Sequence, residues 1–158
     1  MIKLCRVDHR LLHGQVAFSW CHSLGADCIL IANDAVAVDD IRIAAMRLAQ
    51  PNGVKLVIKN MNDSIQALNS GVTDKYKLLI VIESIADAYR LANSCKIITS
   101  INLGGTKKQE NTHQLGLAVH VNSQDCKELH DLIENGIEIE IRQVPDDKKV
   151  IVVKEDLE

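Results

Sequence analysis

The chain has 158 residues and a formal net charge of −3, with 47% hydrophobic and 25% charged residues. This composition is typical of a globular protein, and the length predicts one domain with a single core over residues 1–158. No long basic tract is present, which argues against a nucleic-acid binder. No apolar run approaches the roughly 20 residues that span a bilayer, and no signal peptide is predicted. We therefore expect a cytoplasmic protein.

The first half of the chain alternates apolar runs with helix-spaced segments. The apolar runs predict strands at 2–7, 28–32, 54–58, 77–82 and 96–101. The helix-spaced segments predict helices at 14–24, 38–49 and 62–69, and a fourth helix that Ser84 caps and that ends near Asn93. Runs as apolar as 28–32 are typical of strands that are buried on both faces of a parallel sheet.

The second half begins with a polar loop at 102–112, which contains Gly104 and Gly105. A strand is predicted at 115–121, and a helix that Ser123 caps and that Gly136 follows. Residues 137–141 alternate with a period of two, so we expect a strand near the sheet edge with one solvent-facing side. A last short strand is predicted at 149–153. Together these elements predict an α/β fold: a single three-layer domain with a mostly parallel open sheet of about seven strands flanked by helices.

The segment 6–16 lies between the first strand and the first helix and holds two arginines, two histidines and an aspartate. Open α/β proteins bind ligands at this edge of the sheet. Histidine offers a nucleophilic nitrogen near neutral pH, and arginine offers a planar pair of donors to phosphate. Gly14 lets an anion approach the backbone N–H groups at the start of the helix. The segment therefore predicts phosphoryl transfer to and from a histidine.

The run RVDHRLLHGQV at 6–16, followed by Trp20, resembles the active-site segment of the enzyme IIB components of bacterial sugar phosphotransferase systems, in the mannose/fructose/sorbose class. Further matching segments occur in the order of that family, at 31–34, 39–42, 49–54, 102–105 and 136–145. Together they extend over nearly the whole chain, which makes the resemblance far more specific than one short motif.

The resemblance implies a role for each charged residue of the loop. His13 would be the phosphorylated residue, and Arg10 would pair with the phosphoryl oxygens. Asp8 would orient the loop or the imidazole. We expect three further residues of the same segment to contribute to phosphate binding, namely Arg6, Gly14 and Gln15.

His9 departs from the family pattern, in which an aspartate or another residue is expected, and it offers a rival nucleophile. We favour His13 because it adjoins Gly14 and the helix start, where N–H groups and the positive end of the helix dipole meet a phosphoryl group. The other four histidines are interpreted as structural or surface residues, and Trp20 as a core residue with partner contact as the alternative.

Two further pairs of residues are possible members of the site. Asn33 and Asp34 end the second predicted strand at the same sheet edge, and the alternative role for them is helix capping. Gly104 and Gly105 either form the floor of the site or make a simple turn.

The five cysteines are odd in number and irregularly spaced, so we interpret them as free thiols of a reducing compartment. Cys21, His22 and Cys28 could be combined into a metal site, but their spacing fits no common zinc pattern. The sequence therefore predicts no metal and no other cofactor.

The resemblance implies a protein-N(π)-phosphohistidine–sugar phosphotransferase. It would accept a phosphoryl group from a phosphorylated IIA protein or domain and pass it to a sugar held by membrane IIC and IID subunits, docking transiently at the membrane. One alternative is a regulatory histidine phosphoacceptor that controls a transcription regulator. Another is a non-catalytic anion- or nucleotide-binding module, which the absence of a G-x-G-x-x-G motif and of a P-loop disfavours.

Overall fold

A computed structural model describes residues 1–158 as nine strands and five α-helices. The strands are β1 (Ile2–Asp8), β2 (Cys28–Ala32), β3 (Lys55–Lys59), β4 (Leu78–Ile82), β5 (Ser100–Gly105), β6 (His113–Gly116), β7 (Val119–Val121), β8 (Glu138–Ile141) and β9 (Val150–Ile151). The helices are α1 (Gly14–Leu24), α2 (Asp40–Leu48), α3 (Met61–Ser70), α4 (Ile85–Ser94) and α5 (Ser123–Glu134), with short 3₁₀ turns at Val36–Val38 and Lys154–Leu157. None of the helices combines the length and the apolar character needed to cross a membrane.

The main sheet has seven strands in the order β3-β2-β4-β1-β5-β8-β9, and all neighbours are parallel except β8 and β9. The chain leaves β1 towards β2 on one side, whereas it leaves β4 towards β5 on the other side of β1. The carboxyl end of β1 therefore lies at the point where the direction of winding reverses, which is where ligands bind in open α/β sheets. The predicted fold class is confirmed.

The two faces of the sheet are covered by different helices. On β2, Cys28, Leu30 and Ala32 pack into a cluster with α3, α4 and α5, whereas Ile29 and Ile31 pack into a second cluster with α1 and α2. Because successive side chains of a strand point to opposite faces, a strand that is covered on both sides must be apolar throughout.

The fifth strand lies further along the chain than predicted. Strand β5 covers Ser100–Gly105 instead of 96–101, so Gly104 and Gly105 belong to the sheet and do not form a turn. Asn102 pairs with Arg6 and Gly105 with Asp8 in the parallel ladder between β1 and β5. These backbone hydrogen bonds outweigh the poor strand propensity of asparagine and glycine.

The predicted strand at 115–121 is in fact a two-stranded antiparallel hairpin, β6–β7, outside the main sheet. Asn122, one residue before the predicted Ser123, caps α5: its side chain accepts from the N–H of Asp125, whose carboxylate accepts from the N–H of Asn122. A capping box of this kind satisfies two backbone donors at once, which explains the shift of one residue.

Strand β8 lies near the edge of the sheet, as predicted, with only the short strand β9 on its outer side. Glu140, which was expected to face solvent, is buried and lies 3.2 Å from Nε of Arg142. A buried carboxylate needs such a partner, and the arginine supplies it.

Candidate functional site

The loop that follows β1 bends sharply and places His13 at the start of α1. The carbonyl of Asp8 accepts a hydrogen bond from the N–H of Leu11 at 2.9 Å, which closes a tight turn. Leu11 has a φ of 58°, a left-handed conformation that is unusual for a residue with a side chain, and that side chain is buried. Packing of Leu11 in the core therefore holds a strained loop in one shape.

Asp8 is the centre of the site. Its side chain is 1% exposed, and its Oδ2 lies 3.1 Å from Nε2 of His13 and 3.2 Å from Nη2 of Arg6. Its Oδ1 accepts a hydrogen bond of 3.0 Å from the backbone N–H of Arg10. Burial raises the pKa of Asp8, but the N–H of Arg10, the imidazole of His13 and the charge of Arg6 together hold that pKa below its ordinary value. The carboxylate is therefore ionised near neutral pH.

His13 presents one ring nitrogen to Asp8 and leaves the other free. Nε2 faces Asp8, whereas Nδ1 has no protein partner, and the side chain is 26% exposed. The backbone N–H groups of Gly14, Gln15 and Val16 also have no protein partner. His13 itself occupies the N-cap position of α1 and makes no capping bond. The free Nδ1 of His13 is therefore followed directly in sequence by three free backbone N–H groups, those of the first turn of α1.

Arg10 is the exposed cation of the loop. Its side chain is 54% exposed, its Nε lies 3.5 Å from Oδ1 of Asp8, and its terminal amino groups have no protein partner. Gln15 is exposed on the first turn of α1 and makes no side-chain hydrogen bond. Gly14 has a φ of 25°, and a Cβ there would meet no atom within 4 Å, so its backbone conformation, and not a lack of space, favours glycine.

Arg6 lies beneath the loop instead of facing solvent. It is 3% exposed, and its Nη1 donates to Oδ1 of Asn102 at 2.7 Å and to the carbonyl of Arg142 at 3.0 Å. Its Nη2 donates to Asp8. The sequence placed Arg6 among the phosphate ligands, but these contacts direct its guanidinium towards Asp8.

His9 points to a different opening from His13. It lines a polar cleft of about 430 Å³ together with residues at the start of α4, in the loop after β5 and at the start of α5. Its backbone N–H donates to the carbonyl of Gly105, and its Nδ1 is buried without a partner. Burial of Nδ1 leaves only Nε2 of His9 as a possible nucleophile, and no carboxylate orients its ring as Asp8 orients that of His13, which favours His13.

Asn33 and Asp34 make capping contacts away from His13. Oδ1 of Asn33 accepts from the N–H of Val36, and its Nδ2 donates to Glu83. Oδ1 of Asp34 accepts from the N–H of Met61, the first residue of α3. The structure therefore favours the alternative role for this pair, which is to hold helix starts in place.

Three residues of the site, Trp20, Asn102 and Arg142, could not be identified from local patterns. The ring of Trp20 contacts the guanidinium groups of Arg6 and Arg142, whose Cζ atoms lie 5.3 and 4.9 Å from the ring centroid, and its Nε1 donates to the carbonyl of Gln143. Asn102 bridges Arg6 and the carbonyl of Arg142. Trp20 follows the resembling segment 6–16, and Asn102 and Arg142 lie in the resembling segments 102–105 and 136–145. That resemblance was the available signal for these residues.

The cysteines and histidines do not form a metal-binding group. No set of three or more His, Cys, Asp or Glu side chains comes together in the chain, so Cys21, His22 and Cys28 do not combine. All five cysteines are free and buried. Asp8 instead contacts Arg6, Arg10 and His13.

Comparison with known proteins identifies the family. Residues 2–155 match the family described as PTS system sorbose subfamily IIB component. The mannose-specific EIIAB component of Escherichia coli K12 is 31% identical over 150 residues, which is 95% of this chain and 46% of that protein. The chain thus spans about half the length of that relative. The fructose-specific EIIB component of Bacillus subtilis is 28% identical over 92% of this chain and 90% of its own length.

Solved structures agree with the sequence comparison. The IIBSor domain of the sorbose permease from Klebsiella pneumoniae superposes with a TM-score of 0.91 at 26% identity, over 99% of this chain and 96% of that domain. The N-acetylgalactosamine-specific IIB component 1 from Escherichia coli gives a TM-score of 0.90 at 25% identity, over 97% of this chain and 100% of that one. The chain therefore belongs to the sorbose-subfamily IIB components of the sugar phosphotransferase system.

Proposed function

We propose that this protein carries a phosphoryl group on Nδ1 of His13, accepting it from a phosphorylated IIA protein and passing it to a sugar bound by membrane IIC and IID subunits. The observation that carries the proposal is the contact between Asp8 and Nε2 of His13, which leaves Nδ1 free at a partly exposed position. The protein would work in the cytoplasm and dock transiently at the inner face of the membrane.

Asp8 would determine which nitrogen attacks. An ionised carboxylate accepts a hydrogen bond and cannot donate one, so the proton of a neutral imidazole would reside on Nε2. The lone pair would then lie on Nδ1. Attack of Nδ1 on phosphorus forms the new N–P bond while the N–P bond of the donor histidine breaks, and the electron pair returns to the donor nitrogen. The positive charge that develops on the ring of His13 would be stabilised by Asp8.

Arg10 and the start of α1 would stabilise the phosphoryl oxygens. A phosphoryl group in transfer spreads negative charge over three equatorial oxygens, so catalysis depends on positioned donors and cations. The terminal amino groups of Arg10 and the backbone N–H groups of Gly14, Gln15 and Val16 have no protein partners to lose. They could meet the phosphoryl group without breaking internal bonds.

The relatives favour transport over a regulatory role. Their names describe components for mannose, fructose, sorbose and N-acetylgalactosamine. We therefore propose a hexose or an amino-hexose as the final acceptor, with the sugar pocket in the membrane subunits. A gene neighbourhood that lacks IIC and IID genes would instead favour a regulatory phosphoacceptor.

The test is labelling by a phosphorylated IIA protein of the mannose class. We expect a mass increase of one phosphate that is lost in acid and kept in base, and peptide mapping should place it on His13. The His13→Ala variant should remain unlabelled, whereas His9→Ala, the matched imidazole control, should label normally. Full labelling of His13→Ala would contradict the assignment, and loss of label in His9→Ala alone would move it to His9.

A further inference from the structure

We propose that a largely buried cradle beneath the loop, formed by Trp20, Asn102, Gly104 and Arg142, positions His13 by holding Arg6 against Asp8. This inference deepens the proposed function and rests on it. None of the four residues makes a hydrogen bond to His13, whose ring contacts Asp8. Each would act on phosphoryl transfer through Arg6, so all four are positioning residues.

The two terminal nitrogens of the Arg6 guanidinium, Nη1 and Nη2, bind different partners. Nη1 donates to Oδ1 of Asn102 at 2.7 Å and to the carbonyl of Arg142 at 3.0 Å, whereas Nη2 donates to Oδ2 of Asp8 at 3.2 Å. The same Oδ2 faces Nε2 of His13. Because the guanidinium is planar and rigid, anchoring Nη1 determines the position of Nη2. The cradle thereby determines the position of the oxygen that His13 contacts.

Trp20 connects the cradle to α1, the helix that His13 precedes as the N-cap residue. Its ring contacts the guanidinium groups of both Arg6 and Arg142, and its Nε1 donates to the carbonyl of Gln143 at 3.0 Å. Trp20 is 1% exposed, and cation–π contacts are stronger where water is excluded. The ring therefore ties α1, which follows His13, to the segment after β8.

Gly104 provides the space that Arg6 occupies. A Cβ at this position would lie 2.1 Å from Cζ of Arg6 and 2.3 and 2.4 Å from its two terminal nitrogens. The φ of Gly104 is outside the left-handed region, so glycine is needed here for space and not for backbone freedom. Any other residue must displace the guanidinium, and with it the hydrogen bond to Asp8.

Gly105 is the matched control. It is the next residue of the same strand, also buried, and a Cβ there would come no closer than 3.6 Å to any atom, which is an ordinary contact. Gly104→Ala and Gly105→Ala add the same methyl group to the same strand. They differ in whether that methyl group meets Arg6.

The experiment combines kinetics with a spectroscopic measurement that needs no partner. Nitrogen-15 NMR of the imidazole rings reports which nitrogen of His13 carries the proton in the unphosphorylated protein. Single-turnover transfer from phosphorylated IIA, measured over a range of donor concentrations, separates the maximal rate from the half-saturating concentration. Circular dichroism serves as the folding control.

We expect Gly104→Ala to lower the maximal rate by about tenfold or more, with little change in the half-saturating donor concentration. The nitrogen-15 shifts of His13 should move from the tautomer protonated on Nε2 towards a mixture. Gly105→Ala should match the parent in both measurements. In an Arg6→Ala background, adding Gly104→Ala should have little further effect, because the group that it displaces is already absent.

If Gly104→Ala keeps the parental tautomer and rate, the cradle is overturned, although phosphorylation of His13 would stand. If the parent fails to label on His13, the proposed function fails, and the tautomer measurement still tests the cradle by itself. Should Gly104→Ala not fold, Asn102→Ala replaces it, and the same two measurements should move in the same directions. An unchanged tautomer in Asn102→Ala would equally overturn the proposal.

Discussion

Arg10 contacts Asp8 through its backbone and through its side chain: the N–H donates to Oδ1 at 3.0 Å, and Nε lies 3.5 Å from the same oxygen. The rest of the guanidinium has no protein partner, and the side chain is 54% exposed. One residue thus helps to orient Asp8 while its charge remains available to a ligand. The backbone hydrogen bond survives any substitution except proline, so side-chain variants remove only the 3.5 Å contact with Asp8 and the charge that is offered to a ligand.

The first prediction is that Arg10→Lys folds normally and slows phosphoryl transfer by about tenfold or more, and that Arg10→Ala is slower still. A lysine supplies a point charge, whereas the guanidinium can make two parallel hydrogen bonds to phosphate oxygens. Single-turnover transfer from phosphorylated IIA measures the effect. Lys127→Ala, which removes an equal charge from an exposed position on α5, is the control. Transfer at the parental rate by Arg10→Ala would mean that Arg10 is a solvated loop residue.

The second prediction concerns acid stability. The pKa of Asp8 is held below its ordinary value, so this carboxylate contributes stability that is fully present above the pKa of the unfolded chain and is lost as pH falls through the folded-state pKa. Near neutral pH, Asp8→Asn should be less stable than the parent by about 1–3 kcal/mol, because charge-assisted hydrogen bonds to Arg6 and Arg10 are lost.

Urea unfolding as a function of pH measures this difference. The gap between parent and Asp8→Asn should be constant well above the ordinary aspartate pKa of about 3.9 and should close as the pH falls below that value and through the lowered folded-state pKa. Asp146→Asn, at an exposed position, is the control and should follow the parent throughout. A gap that persists unchanged into strong acid would show that the carboxylate is not the source of the stabilisation.

The charged residues of the site could be found in the sequence because they lie in one short segment. His13, Arg10 and Asp8 fall within six residues between an apolar strand and a helix pattern, and the structure brings all three together. The alternation of side chains along β1 also places Arg6 and Asp8 on the same face of the sheet. The segment alone could not show that distant parts of the chain cover this face of the sheet at Arg6, so the burial of Arg6 was not predicted.

The cradle could not be predicted because its contacts join distant parts of the chain. Arg6 meets Asn102 across 96 positions and the carbonyl of Arg142 across 136. The pair Gly104 and Gly105 was predicted to form either the floor of the site or a turn, and not part of a strand, since local propensity disfavours glycine in a strand. Only the position of the Arg6 guanidinium explains why the first of these glycines occurs inside β5.

The third prediction is that the cysteines react very slowly with a thiol reagent such as Ellman's reagent in the folded protein. All five are buried, and burial raises the pKa of Cys5 to about 12 and that of Cys21 to about 11. The thiolate is the reactive form, so both burial and pKa oppose the reaction. All five thiols should react promptly in denaturant. Fast modification of a thiol in the native protein would show that its surroundings open.

The fourth prediction is that the phosphorylated protein transfers its phosphate to free hexoses very slowly unless membranes with the matching IIC and IID subunits are present. Transfer to a hydroxyl competes with hydrolysis, and a site must exclude water to favour the sugar. The loop around His13 leaves the imidazole 26% exposed. The nearby Trp20 is buried against two arginines, so its ring is not available to a sugar.

Release of radioactive phosphate from His13 would be followed with candidate hexoses, with and without such membranes. Membranes that lack IIC and IID are the control, and they should leave the phosphorylated protein as stable as it is in buffer. Matching membranes should yield sugar phosphate at a rate that depends on which hexose is supplied. Rapid formation of sugar phosphate in solution would place the sugar site on this chain. It would contradict the proposal that the membrane subunits bind the sugar.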